Sequence, residues 1–353
     1  MILSVASSLY GAVALKRRRW FARPTRQRRL GRPVVSVGNL SVGGSGKTPV
    51  VEHVVRLLQD AGERPAILSR GYARRIKDGA VTVVATSTRV VADLDRAGDE
   101  PLMLARALPG VPVLVGADRF RCGLQAEERF DVTVHVLDDG FQHLKLRRDV
   151  NLLLIDEDDL AERVLPAGRL REPLSAAVAA DAILMGSGEP SRFARAVASL
   201  GVLTVFRTDR TLVDVHMMSS GKVIEPQMVG PVFAVAGIAK PHRLFETLAS
   251  RGWRLGGTLV FRDHHRFSQS DVSRISQAAR DAQTHIVITT AKDAVRFEPL
   301  DYSPLALAVA TIATAVEPAS TFSAWLQDRL SRARTQLAGN APGPREVGGS
   351  TSP

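Results

Sequence analysis

The chain of 353 residues has a single cysteine, Cys122, which excludes an intramolecular disulfide and any zinc site built on cysteines. Aromatic residues are scarce, at 5% of the total, and residues 1–51 contain no aspartate or glutamate at all. Ten basic residues lie in that stretch, so most of the net charge of +11 is local, and the remaining 302 residues balance at 37 basic against 36 acidic. Long apolar runs are missing too. The uncharged run Met1–Leu15 would make a helix of about 22 Å, short of the roughly 30 Å hydrocarbon core of a bilayer. A secretory leader would place its positive charge before the apolar run, and here the basic cluster follows it.

Charge alone would allow nucleic acid as a partner, but the apolar run in front of it favours another surface. A helix lying in a membrane interface would place Lys16 to Arg32 on anionic head groups, with Tyr10, Trp20 and Phe21 at the boundary. An ordinary helix packed on the protein is the alternative. Beyond it, short apolar runs alternate with helical periodicity. Val34–Val37, Ala66–Ser69, Val111–Val115, Val132–Leu137, Leu152–Ile155 and Ala182–Met185 read as strands, and Val50–Gln59 as an amphipathic helix. The pattern predicts an α/β fold with a parallel sheet and helices on both faces. Short alternating segments over Arg207–Gly230 suggest an antiparallel connection to a second, smaller α/β set. The expected organisation is therefore an N-terminal segment (1–32), a first domain (33–208), a second (209–335) and a disordered Gly/Pro-rich tail (336–353).

Chemistry concentrates at four places. Ser41-Val42-Gly43-Gly44-Ser45-Gly46-Lys47-Thr48 follows a strand and opens a helix, the setting of a phosphate-binding P-loop, although Ser41 stands where the usual pattern has glycine. There the backbone N–H groups face phosphate oxygens, Lys47 reaches the β- and γ-phosphates of ATP, and Thr48 ligates Mg²⁺. Asp138-Asp139 end an apolar strand, as a carboxylate delivered to Mg²⁺ would, or form a solvated turn. Gly98-Asp99-Glu100-Pro101 reads as a helix start, with Asp99 or Glu100 as N-cap or as a proton acceptor. Asp263-His264-His265 follows a strand, where paired histidines more often pack than bind metal.

In order along the chain, Val37–Thr48, Ser69-Arg70-Gly71-Tyr72, Gly98–Pro101, Val115–Arg119, Leu137–His143, Leu165–Pro173, Ala236-Gly237-Ile238 with Pro241, Asp263–His265 and Lys292-Asp293 form a series. This series, spanning roughly residues 30–300, resembles the tetraacyldisaccharide 4′-kinases of lipid A biosynthesis. The resemblance implies a two-domain P-loop kinase using ATP and Mg²⁺. Its acceptor would be the 4′-hydroxyl of an acylated glucosamine disaccharide 1-phosphate at the cytoplasmic face of the inner membrane. It casts Asp99 as the base and His264 as its partner, Asp138, Asp139 and Glu172 as the acidic set around Mg²⁺ and phosphates, and Lys47 and Asp139 as catalytic groups. Arg70, Tyr72, Arg119, Gln142 and Arg171 become candidates for substrate contact. Ala291 departs from the acidic residue many members carry before Lys292-Asp293. The rival reading is a P-loop GTPase or ATPase switch, which would leave the N-terminal segment, Asp99 and His264 without roles.

Overall fold

The computed structural model describes residues 2–339 apart from 45, 78, 187, 190, 192, 194–196, 199 and 304. Its helices are α1 (Ile2–Phe21), α2 (Lys47–Asp60), α3 (Leu94–Ala97), α4 (Asp99–Ala107), α5 (Arg119–Arg129), α6 (Glu157–Leu160), α7 (Pro241–Ser250), α8 (Gln269–Asp281), α9 (Ala291–Phe297) and α10 (Ala319–Gly339). The first strands are β1 (Val34–Asn39), β2 (Pro65–Ser69), β3 (Thr82–Ala85), β4 (Val113–Val115), β5 (Val134–Asp138), β6 (Val150–Ile155) and β7 (Ala182–Met185). They are followed by β8 (Val205–Met217), β9 (Val223–Ile224), β10 (Val232–Ala236), β11 (Leu255–Val260), β12 (Ile286–Thr290) and β13 (Ala306–Glu317).

Among the described residues these strands form one sheet in the order β11-β10-β12-β13-β8-β7-β6-β1-β5-β2-β4-β3, with β9 beside β8. The fold class read from strand–helix alternation is the one observed. β8-β7-β6-β1-β5-β2-β4 is parallel throughout, and so is β11-β10-β12-β13. The long antiparallel β8–β13 ladder joins the two sets, so they run in opposite directions. Loops after β1, β5 and β7 nevertheless line the same cleft as loops after β10, β11 and β12, which requires the long ladder to carry a strong twist.

Parallel strands covered on both faces lose their alternation, and β1, β2, β5 and β6 are buried at every position. α2 lays Val50, Val51, Val54, Val55 and Leu58 on this sheet, all at 0–1% exposure. Each such aliphatic side chain contributes about 1.5–3 kcal/mol on burial.

α1 is longer than its uncharged run and docks along one stripe. Ser7 Oγ donates to Val164 O (2.7 Å) and accepts from Ala167 N (2.9 Å), and Gly11 lies against Pro173. Arg18, at 9% exposure, forks onto both oxygens of buried Glu172 (2.6 and 3.0 Å) and stacks over the Phe141 ring at 4.3 Å. Leu3, Val5, Leu9, Tyr10, Val13 and Trp20 stay exposed. The helix therefore packs on the protein and still presents an apolar face. No described helix is long and apolar enough to cross a membrane. α10 continues to Gly339, four residues into the stretch expected to be tail, and residues 340–353 lie outside those described.

Candidate active site

A cleft of about 1370 Å³ runs between the two strand sets. Its first wall is the loop from β1 to α2. Gly43 and Gly46 have φ of 100° and 80°, which glycine adopts without strain. Ser41 sits in an antiparallel bridge with Leu170 and has no such requirement, so serine replaces the usual glycine there without cost. Ser45 lies outside the described residues. Arg171 N donates to Leu40 O (2.7 Å) and Val42 N to Arg169 O (2.8 Å), fastening residues 169–171 along the entry to the loop.

The cations and carboxylates that the sequence singled out meet at this wall. Lys47 Nζ donates to Asn39 Oδ1 (2.9 Å) and lies 3.6 Å from Asp139 Oδ1, while Arg171 forks onto both oxygens of Asp139 at 2.8 and 2.9 Å. Burial pushes the Asp139 carboxyl up, but Lys47 and Arg171 outweigh it and hold it at about 2. Asp139 itself has φ +51°, a conformation costly for a residue with a Cβ and common at functional sites. Asp138, at 1% exposure, accepts from Ser69 Oγ (3.1 Å) through Oδ2, whereas its buried Oδ1 has no hydrogen-bond partner. Burial, then Glu100 and Asp139, raise its affinity for a proton. Thr48 is buried in the first turn of α2.

The second wall brings Asp99 and His264 together from residues 165 apart in sequence. Gly98, with φ +82°, occupies the N-cap of α4, so Asp99 is the first helical residue and its Oδ1 accepts only from the adjacent Glu100 N (2.9 Å). That corrects the capping expectation for Asp99 and Glu100. His264, with φ +58°, places Nδ1 2.8 Å from Asp99 Oδ2 and turns its ring toward Tyr72, 5.0 Å between centroids. His264 Nε2 is 3.3 Å from Lys292 Nζ, which also donates to Glu100 Oε1 at 3.0 Å. Arg296, from α9, reaches Asp99 Oδ2 with Nε at 3.0 Å and with Nη2. Burial raises the Asp99 carboxyl, but the His264 hydrogen bond and the charges of Lys292 and Arg296 overcome it and hold the group well below the usual carboxylate range. His264 lines the cleft and Asp99, 4% exposed, stands behind it. His265 packs, as paired histidines usually do: it bonds Asp271 at 3.1 Å and stacks on Phe261.

Arg70, Tyr72 and Arg171 line the cleft. Arg119 and Gln142 do not: Arg119 is buried against His143 Nδ1 (3.3 Å), and Gln142 Nε2 donates to Asn39 O (2.9 Å) at the end of β1. Glu172 does not line the cleft either, because both of its oxygens face Arg18. Sequence reasoning missed Arg296 and a cluster centred on Asp156, which is 1% exposed and pairs with Lys240 (3.2 Å) and Arg243 (3.1 Å). Arg210 from β8 lies directly over Gly46, and Ala239 packs on Gly44. The spacing of Lys292 and Arg296, one helical turn apart after a buried strand, was the available signal for the first.

A glycine-rich loop between the central strand and a helix, with a buried carboxylate ending the neighbouring strand and a carboxylate–histidine pair across the cleft, defines a phosphotransferase of the P-loop class. Residues 1–331 match the family profile of LpxK, described as tetraacyldisaccharide-1-P 4′-kinase. The tetraacyldisaccharide 4′-kinase of Geobacter metallireducens is 41% identical over 306 residues, covering 85% of this chain and 88% of that protein. That of Syntrophus aciditrophicus is 35% identical over 340 residues, 91% of each. The crystal structure of LpxK from Aquifex aeolicus in complex with ATP superposes with a TM-score of 0.74 at 29% identity, covering 94% of this chain and all of that one. The chain belongs to the tetraacyldisaccharide-1-P 4′-kinase family. Membership displaces the GTPase-switch alternative.

Proposed function

We propose that this kinase transfers the γ-phosphate of ATP to the 4′-hydroxyl of a tetraacylated glucosamine disaccharide 1-phosphate, seated by α1 on the cytoplasmic face of the inner membrane. The observation that carries the reading is a proton-accepting pair facing the same cleft as the phosphate loop. In it the roles implied by family resemblance exchange. Asp99 is an anion held behind His264, so His264 Nδ1–H donates to Asp99 Oδ2 and Nε2 is left as the acceptor atom. The Lys292 ammonium withdraws from Nε2, which takes the hydroxyl proton; the freed oxygen attacks the γ-phosphorus, and the bond to the β-phosphate oxygen breaks to release ADP.

Lys47 and Arg171, parked on Asn39 and Asp139, are cations for the phosphates together with Arg210 over Gly46, and Arg70 and Tyr72, which line the cleft, are the candidates to meet an acceptor headgroup. The residues suit Mg²⁺: Asp138 Oδ1 is a buried oxygen lacking a donor, and Thr48 lies in the first turn of α2. No cluster of three or more metal-binding side chains exists among the described residues. Mg²⁺ bound through one carboxylate, a hydroxyl and nucleotide phosphates needs none. Bound there, it would neutralise charge on the transferred group. Glu172 is left out of this set. The two strand sets, divided near residues 208–209, act as lobes that meet over the phosphates and exclude water.

The test is a kinetic cycle. His264→Ala and Asp99→Asn should each lower kcat by about 10²–10⁴ with little change in KM for ATP. The double variant should lose little more than His264→Ala alone. Additive losses, or a fully active His264→Ala, would refute the pair.

A further inference from the structure

Arg296 is the least exposed cation of the second wall, and each of its guanidinium nitrogens has a partner. Its side chain is 2% exposed and comes from α9, a short helix capped by Thr290 Oγ1. Nη1 donates to Gly237 O (2.9 Å) and to Asp293 Oδ1 (2.7 Å), while Nε and Nη2 converge on Asp99 Oδ2. Asp293 is in turn fixed by Gly237 N (3.0 Å) and Thr290 Oγ1 (2.8 Å). The guanidinium is thus locked to the ends of β10 and β12 in one lobe and grips the first residue of α4 in the other.

We infer that Arg296 is a positioning residue for phosphoryl transfer, holding Asp99 ionised and in one orientation so that Asp99 keeps His264 turned with Nε2 toward the cleft. This rests on the proton-accepting pair proposed above. A planar fork with two of its nitrogens on one oxygen fixes direction as well as charge, which a lysine cannot do. The arrangement also answers a difficulty. An aspartate buried next to Glu100 would otherwise take up a proton and cease to orient the imidazole. The titratable and charged groups facing Asp99 are His264 and Asp263 from the loop after β11, Lys292, Asp293 and Arg296 from α9, and its neighbour Glu100. Of the cations, Lys292 is shared with Glu100 and Asp263, whereas Arg296 bonds Asp99 directly. Because the grip crosses between lobes, it also ties the base to one relative placement of the two strand sets.

The experiment compares Arg296→Gln and Arg296→Lys with wild type in full-length enzyme with lipid acceptor, reading kcat and kcat/KM from pH 5 to 9. Removing the charge makes the Asp99–His264 pair easier to protonate, so in Arg296→Gln the acid limb of kcat/KM should move up by about one pH unit or more, with kcat down at least tenfold. Arg296→Lys keeps the charge and loses the fork, so kcat should fall while the limb stays in place. A merely structural residue would lower the unfolding midpoint and activity in both variants without moving the limb, and that result would overturn the inference. If Arg296→Gln does not fold, ¹⁵N-histidine spectra of Arg296→Lys decide: mixed His264 tautomers support the inference, and a wild-type pattern with wild-type kcat overturns it. His264→Ala run alongside separates the two proposals. An active His264→Ala sinks the pair itself, whereas an inactive one with an unmoved limb in Arg296→Gln sinks only the role of Arg296.

Discussion

Replacing Glu172 by Gln removes one charge from a buried pair while nearly keeping its shape. Glu172 and Arg18 have side chains 4% and 10% exposed, and Arg18 spends its Nε and Nη2 on the two carboxylate oxygens. Breaking such a pair from one side typically costs about 3–5 kcal/mol, because the remaining charge is stranded away from water. Here Arg18 would keep Phe141 O at 3.2 Å and the face of the Phe141 ring, so the low end, about 3 kcal/mol, is expected. The loss should appear as undocking of α1: limited proteolysis should cut near residues 16–23 faster, and urea should release the helix earlier. Joint replacement, Arg18→Met with Glu172→Leu, should recover most of the stability. The Mg²⁺ concentration for half-maximal activity should stay where it is. Should Glu172→Gln leave proteolysis and unfolding unchanged while raising that Mg²⁺ concentration tenfold, the carboxylate serves the metal and the anchoring argument is wrong.

Asp138→Asn should weaken Mg²⁺–ATP binding, followed by calorimetry, and abolish its loss toward low pH. The same change should stabilise the protein at neutral pH by on the order of 1–3 kcal/mol. The sign follows from protonation: a carboxyl with raised proton affinity binds more protons folded than unfolded, so its contribution falls as pH rises above the ordinary aspartate range. A lower melting temperature at pH 8 than wild type would contradict this. For membrane binding, Leu9→Glu with Val13→Glu alters only the exposed face of α1 and should release the enzyme from anionic vesicles without changing its melting temperature. Undiminished vesicle binding would defeat the interfacial reading. Deleting residues 1–20 is a poorer test, since it also strands Glu172. Salt should release only part of the wild-type protein, because Arg18, Arg28 and Arg29 are already paired with Glu172, Asp118 and Asp149.

The parallel sheet and the phosphate loop were legible because buried strands and α2 carry their signal in large aliphatic residues at regular spacing. α5 was not, since its buried face is Cys122, Gly123 and Ala126 amid charged neighbours, with Leu30 packed on Gly123. β13, ALAVATIATAVE, alternates small residues that fit a strand or a helix equally well, and only its long pairing with β8 settles it. Within the site, residues presented by one loop were readable in sequence, such as Lys47, Thr48, Asp138 and Asp139. Those whose meaning depends on a distant partner were not. Nothing near Arg296 announces Asp99, and nothing near Glu172 announces Arg18. The order of Asp99 and His264 in the cleft likewise needed three dimensions, because a motif gives identities but not which group stands in front.

The seating of α1 has a consequence for which hydroxyls the enzyme can reach. The helix is bolted through Ser7 and Arg18 to residues 164–172, and the same short segment is laced by backbone hydrogen bonds to the mouth of the phosphate loop. No flexible tether intervenes between the surface that would meet lipid and the place where the γ-phosphate would lie. If α1 meets the bilayer as proposed, the protein would behave as a depth gauge, with its reactive atoms at a set height above the bilayer plane. A sugar hydroxyl carried at that height by its acyl chains would then be phosphorylated, and one held lower among the head groups or tumbling free in water would not.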